Sequence, residues 1–359
     1  MKCYMAAGAL LQALSMSALA QSSVTLFGSL DNGVTYINNT GGHSAVKLQD
    51  GVNKSNSFGL TGTEDLGNGT SALFKIEGGY SVNNGKLGQG GLMFGKQAWV
   101  GLGQRGIGQV LLGRQYDYTV VLEQYAACNN CGIYSYQNAD IDRAAGQRLN
   151  NAVSFKSNTF GGFTFGAMYA FGQDSGALTT NSGRAYSAQV QYSAGPFSML
   201  AVVTDVNGAP VAAGSFGAST VLGRPVTAST AFYADNLRIA ALAAYYQIGA
   251  WRPSITYSNS QVKLGGASST DQIVRVGTTF ALTPAAQFAA QVAVDRFESS
   301  RWYSLALGAD YLISKRTDVY LDFEAQHATG AGTAASIFLA GPSSTSNQVV
   351  ARAGIKHLF

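Results

Sequence analysis

The chain has 359 residues, of which 12% are charged (23 Lys+Arg, 19 Asp+Glu), against roughly 25% in an ordinary soluble domain. Its 46% hydrophobic content, with 18 tyrosines and 18 phenylalanines, excludes a disordered chain, and 44 glycines beside 6 prolines fit a β protein better than a helical one. The formal net charge of +4 is spread thinly, without a run of Lys or Arg, so no electrostatic footprint for nucleic acid is present.

The first segment reads as an export signal. Lys2 supplies a short basic region, residues 5–19 are a weakly apolar stretch rich in Ala and Leu, and Ala18-Leu19-Ala20 offers a small-x-small cleavage site before Gln21. Residues 1–20 are therefore expected to be removed, Cys3 with them, leaving 21–359 as a single unit. Cleavage leaves Cys128 and Cys131 in a Cys-Asn-Asn-Cys sequence, and an oxidising compartment favours a local disulfide over two free thiols, the open alternative. No second cysteine pair exists, and the histidines are His43, His327 and His357, so neither a metal site nor a cofactor is expected.

Beyond residue 20 the longest apolar run is residues 239–246, far short of the ~20 residues a spanning helix needs. A closed β-barrel also satisfies every backbone polar group in a membrane, and its strands need only ~9–11 residues of alternating character. Such segments recur along the whole chain. Residues 23–37 place Val24, Leu26, Gly28 and Leu30 on one face and Thr25, Phe27, Ser29 and Asp31 on the other. Residues 57–63 alternate likewise, and 70–82 set Ala72, Phe74 and Ile76 against Ser71, Lys75 and Glu77. Further strands are expected at 94–102, 109–115, 149–156, 163–171, 184–193, 197–205, 236–248, 252–259, 272–282, 286–297, 302–313, 318–327 and 348–359, sixteen in all.

The connections alternate in length. Short turns such as 161–162, 194–196 and 314–317 exchange places with polar links at 38–55, 172–183, 207–234, 261–271 and 328–347, and the longest, 116–148, follows the fifth strand. Short turns at one end and long loops at the other are the pattern of outer-membrane barrels. A soluble sandwich would need a core denser in Val, Ile and Leu, and no repeat period supports a solenoid.

Six stretches carry a family resemblance: Val24-Thr25-Leu26-Phe27-Gly28, Gly62-Thr63-Glu64-Asp65-Leu66-Gly67, Leu112-Gly113-Arg114-Gln115-Tyr116-Asp117, Phe160-Gly161-Gly162-Phe163, Leu312-Ile313-Ser314-Lys315-Arg316-Thr317-Asp318 and the ending Ile355-Lys356-His357-Leu358-Phe359. The sequence resembles the general diffusion porins of Gram-negative outer membranes, in particular the β-proteobacterial type. The resemblance implies an all-β, 16-stranded antiparallel transmembrane barrel with an inward-folded third extracellular loop. It also implies a homotrimer amid outer-membrane lipid and lipopolysaccharide, passing ions and small hydrophilic solutes. Phe359 matches the terminal aromatic by which such barrels are recognised for insertion.

In that family wall arginines face acids on the third loop. Arg114 and Arg148 match two of the wall positions, whereas the third is Ser57, and two further basic positions are Thr61 and Gln97. Opposing acids are expected among Asp117, Glu123, Asp140 and Asp142, with Arg143 nearby. Strict alternation points Lys96 away from the pore, on the phase of Phe94, Ala98 and Val100. Aromatics near strand ends, among them Tyr36, Tyr169, Tyr192, Tyr257, Trp302 and Tyr311, suit girdles at the two interfaces.

Two other functions were weighed on residues. His327 lies close in sequence to Asp322 and Glu324, but no nucleophile accompanies them, so an enzyme is not expected. A substrate-specific channel with a saturable site is the alternative, for which the third loop offers Tyr116, Tyr118, Tyr125, Tyr134 and Tyr136.

Overall fold

The computed structural model describes residues 23–127, 141–144, 146–172, 182–229 and 232–359. The strands are β1 (Ser23–Thr40), β2 in two pieces (His43–Asp50 and Ser57–Gly67), β3 (Thr70–Gly79), β4 (Gln97–Gln104), β5 (Gly108–Tyr116), β6 (Arg148–Ser157), β7 (Phe163–Ala170) and β8 (Ala185–Ala194). They continue as β9 (Phe197–Asn207), β10 (Asn236–Tyr246), β11 (Trp251–Leu264), β12 (Ala267–Ala281), β13 (Ala286–Phe297), β14 (Ser300–Leu312), β15 (Thr317–Thr329) and β16 (Asn347–Leu358). Each pairs antiparallel with its sequence neighbour, and β1 closes the ring on β16 from Ser29↔Leu358 to Ile37↔Val350. On its other edge β1 pairs both pieces of β2, which occupy one place in the barrel and bring the total to sixteen.

Burial runs opposite to that of a soluble sheet. In β11, Ile255 and Tyr257 are 49% and 37% exposed, while Ser254, Thr256 and Ser258 on the alternate phase are buried. A barrel in lipid must do this: hydrocarbon solvates the outer side chains, and the polar ones turn to the lumen. Among the described residues no helix is long and apolar enough to cross a membrane; the crossing is made by strands.

Phe359 lies just beyond β16 and completes the seam, its N–H donating to the Gly28 carbonyl at 3.1 Å and its carbonyl accepting from the Gly28 N–H at 3.0 Å. Its ring covers Gly28 so closely that a Cβ there would stand 2.3 Å from the ring edge. Glycine at 28 is what lets the last residue lie against the first strand.

Two expected links are strands. Residues 38–55 fold as a hairpin, β1 turning at Gly41 and Gly42 (φ 62° and 99°) and returning as His43–Asp50. Residues 261–271 are the ends of β11 and β12, meeting at Gly265 and Gly266 with Gln261↔Thr270 and Lys263↔Ser268 paired. In the first the alternation is only a few residues long, Val46 and Leu48 against Lys47 and Gln49, and in the second the residues around the turn are mostly polar, so the two-residue pattern is weak. Trp302 also departs from its expected girdle position. It points inward at 2% exposure, packs against Phe216 at 5.4 Å between ring centroids, and donates Nε1–H to the Ala334 carbonyl at 3.0 Å.

Candidate pore constriction

After β5 the chain turns into the lumen at Asp117 and forms a 3-10 helix, Tyr118–Tyr125, with Tyr118, Val121, Leu122 and Tyr125 buried. The helix packs on the inner wall of β8–β11. The Tyr118 N–H donates to Ser187 Oγ at 2.9 Å, the Tyr118 hydroxyl donates to the Phe155 carbonyl at 2.8 Å, and the Tyr125 hydroxyl bonds Ser198 Oγ at 2.7 Å. Beyond the helix, Thr279 Oγ1 donates to the Ala127 carbonyl at 2.7 Å. The third loop thus crosses the barrel and is fixed on the far wall.

Two buried ion pairs hold its return. Arg143 Nη2 meets Asp117 Oδ2 at 2.8 Å, and Asp142 accepts from Arg275 Nη1 of β12 at 2.5 Å and from Ser258 Oγ of β11 at 2.8 Å. Asp117 and Asp142 are each 0% exposed. They therefore anchor the loop and do not face the open lumen, contrary to the expectation that they oppose the wall arginines. Burying such charges gains little, but removing one partner strands the other and costs about 3–5 kcal/mol.

Between the loop and the wall of β2–β6 lies a cavity of about 520 Å³. Among the described residues its cations are Lys54, Lys75, Lys96, Arg148 and Lys156, and its carboxylates are Glu77 and Glu123. Glu77 is shared by Lys75 at 3.0 Å and Lys96 at 3.5 Å and accepts from Gln97 Nε2 at 3.1 Å. Trp99 Nε1–H donates to Gln97 Oε1 at 3.1 Å, which fixes the amide between them. Arg148 stacks on the Tyr116 ring at 4.7 Å and donates to its hydroxyl at 2.6 Å. Five cations and two carboxylates leave the cavity positive, and low-dielectric walls focus that field along the path of a solute.

The expected residues divide as follows. Arg148, Glu123, Ser57 and Gln97 line the cavity. Thr61 does not; its hydroxyl donates to the Phe74 carbonyl at 3.1 Å. Arg114 does not line it either, although it lies close enough to Arg148 and Tyr116 to interact with them electrostatically. Its Nε donates to the Gly95 carbonyl at 2.8 Å, and Nη1 bonds Asn150 Oδ1. Asp140, Cys128 and Cys131 lie outside the described residues.

Lys96 corrects the parity argument. It sits in a bend in the 80–96 connection, one residue before β4 begins, so the strand phase does not reach it. Its amine turns into the cavity, 5% exposed, and burial pushes its pKa down to about 8 against the opposing pull of Glu77. Lys54 and Lys156 were missed. Lys156 shares the inward phase of Ser154 and could have been read from alternation, whereas Lys54 stands between the two pieces of β2, where no periodicity applies.

A closed barrel of sixteen strands is wide enough to leave an aqueous channel, and this one is narrowed by an inserted loop: the architecture is that of a membrane pore. The chain belongs to the Gram-negative porin family, whose model matches residues 6–331. It is 30% identical to outer membrane porin protein 32 of Delftia acidovorans across 97% of both chains. It is 29% identical to an outer membrane porin of Bordetella pertussis across 58% of this chain and 60% of the relative, so that alignment spans under two thirds of the latter. Among solved structures it is similar to the anion-selective porin from Comamonas acidovorans, with a TM-score of 0.77, 26% identity, and coverage of 94% of this chain and 100% of that one. The protein is an outer-membrane channel for the passive diffusion of ions and small hydrophilic solutes.

Proposed function

We propose that this channel favours anions, with Lys96 and Arg148 as the dominant charges of the narrow ring and Glu123 as its acid on the loop side. The observation that carries the reading is the charge of the cavity, five cations against two carboxylates, with Glu77 already engaged by Lys75 and Lys96. At 4 Å two unit charges interact by about 1 kcal/mol in water and about 4 kcal/mol at an effective dielectric of 20, so a net positive ring is strong enough to bias chloride over potassium. The solved relative from Comamonas acidovorans is an anion-selective porin, in keeping with this sign. The test is the zero-current potential of the folded protein in a planar bilayer under a KCl gradient. An anion-favouring potential is expected; a cation-favouring one would overturn the reading.

The same proposal takes the protein as an exported chain cleaved after Ala20 and assembled as a homotrimer, with Phe359 as its assembly signal. What supports the last point is the place of Phe359 at the seam, where the ring and both backbone groups meet Gly28.

A further inference from the structure

The second strand of the barrel is interrupted. Ser57 pairs with Ser29 of β1 and Asp50 pairs with Asn32, so the six residues 51–56 stand opposite only Leu30 and Asp31. The surplus has to leave the sheet, as in an oversized bulge. Toward lipid its backbone N–H and C=O groups would find no partners, which leaves the lumen. The chain turns off at Gly51 (φ 72°) and buries Val52, Asn53 and Asn56, while Lys54 and Ser55 are exposed.

Both ends of the excursion are tied to Asp31, which is buried and meets Arg352 at 3.6 Å. The Gly51 N–H donates to the Asp31 carbonyl at 3.0 Å, the Asn53 N–H donates to Asp31 Oδ2 at 2.8 Å, and the Asp31 N–H donates to Asn56 Oδ1 at 2.6 Å. The segment then reaches across the inner face of β1. Asn53 Nδ2 donates to the Asp322 carboxylate of β15 at 3.3 Å, and Asn53 Oδ1 accepts from Lys356 Nζ of β16 at 3.0 Å. Ser29 Oγ donates to the Ser55 carbonyl at 2.8 Å, and Lys96 Nζ donates to the same oxygen at 3.4 Å. The interruption is thus fixed against three strands of the wall.

What it delivers to the pore is Lys54. Asn53, Lys54 and Ser55 line the cavity of about 520 Å³, as do Val120, Val121 and Glu123 of the third loop. Lys75 and Lys96 are held by Glu77, and Arg148 donates to Tyr116, whereas the Lys54 amine has no hydrogen-bond or acid partner among the described residues. It stands near enough to Lys96 for the two like charges to repel. A cation placed this way keeps its field for a passing ion.

We propose that residues 51–56 are a second constricting segment of the pore, built into the barrel wall and separate from the third loop, with Lys54 as the specificity-determining residue it carries. The inference deepens the anion-favouring reading and rests on it for the sign of the preference. That the segment borders the solute path stands on its own geometry.

The test is read on the folded protein in planar bilayers under a KCl gradient. Lys54→Gln should lower the chloride-to-potassium permeability ratio about threefold, the effect of one partly screened charge, and Lys54→Glu should lower it further. Lys86→Gln, in an exposed connection outside the cavity, should keep the wild-type potential. Removing residues 52–55 leaves two residues opposite Leu30 and Asp31, so that β2 can run through. That variant should conduct more than Lys54→Gln and admit larger neutral polyethylene glycols. Ser55→Trp keeps the charge and adds bulk at an exposed position, so it should lower both conductance and the polymer cut-off, and it decides the point if the deletion does not fold. A Lys54→Gln channel with the wild-type potential would overturn the role of Lys54. Wild-type conductance and polymer cut-off in Ser55→Trp would overturn the constriction. A cation-favouring wild type would refute the anion preference, while the change from wild type to Lys54→Gln still decides Lys54.

Discussion

The two sides of the lumen are built from the same alternating strands but handle charge differently. On the wall of β2–β6, Lys75, Lys96, Arg148 and Lys156 border open space and share two carboxylates with Lys54. On the wall of β11–β16 the buried cations are matched with acids: Arg275 is sealed against Asp142 at 2.5 Å, Arg352 meets Asp31 at 3.6 Å, and Lys356 lies between Asp318 at 3.3 Å and Asp310 at 3.6 Å, while Arg252 turns to the loop carbonyls of Gln124 and Ala126 at 3.4 Å. Strand phase decides which charges point inward. Where the third loop lands decides which of them a solute can feel, because the loop takes up Arg275 and leaves Arg148 uncovered.

That contrast can be broken most severely from the sealed side. Asp142→Ala leaves Arg275 buried without its carboxylate, and the expected cost is about 3–5 kcal/mol. Unseating the loop should lower the thermal midpoint and raise single-channel conductance with added noise; an unchanged midpoint and conductance would mean that Asp142 anchors nothing. On the open side, Arg148→Ala should cut the chloride-to-potassium permeability ratio by roughly fivefold, corresponding to about 1 kcal/mol of field at the ring, as read from the zero-current potential. A pH change gives a smaller effect on the same wall. The Lys96 pKa is pushed down to about 8, so the cation is present below that pH and is lost as the pH rises through it, well before an ordinary lysine titrates. Anion preference should therefore fall across pH 8, and Lys96→Gln should flatten that part of the profile. The smallest effect is expected from Arg114→Ala, whose side chain is held by the Gly95 carbonyl and Asn150 and does not line the cavity. Its ion selectivity should match wild type; a shift as large as that of Arg148→Ala would return Arg114 to the ring.

Sixteen strands were legible because each repeats a two-residue pattern over most of its length, and a lipid-facing barrel makes that pattern strict. The pattern was too short to read at 43–50, where only Val46 and Leu48 alternate with Lys47 and Gln49, and too polar at 261–271 around the Gly265-Gly266 turn. It failed again at Lys96, where a bend ends the strand phase one residue before β4. Arg114 lies just where alternation loses its hold. Its side chain is tied to the Gly95 carbonyl and Asn150 beside Arg148, and the register shift between Gly113 and Gln115 is where alternation stops predicting which side a residue takes. The roles of Asp117 and Asp142 could not be read at all from sequence, because their partners lie 26 and 133 residues away and depend on where the loop comes to rest.

The contact between Gly28 and Phe359 joins the sixth described residue to the last one of the chain. Until that residue has arrived, β1 and β16 are two open edges, each a row of unpaired amides ready to recruit the wrong partner. The ring can therefore be finished only once β16 has reached β1, which closes the longest loop in the sheet. A copy missing its end would carry every pore residue and still present an unzipped sheet to its surroundings. The timing of completion is thus written into the pairing of the two terminal strands.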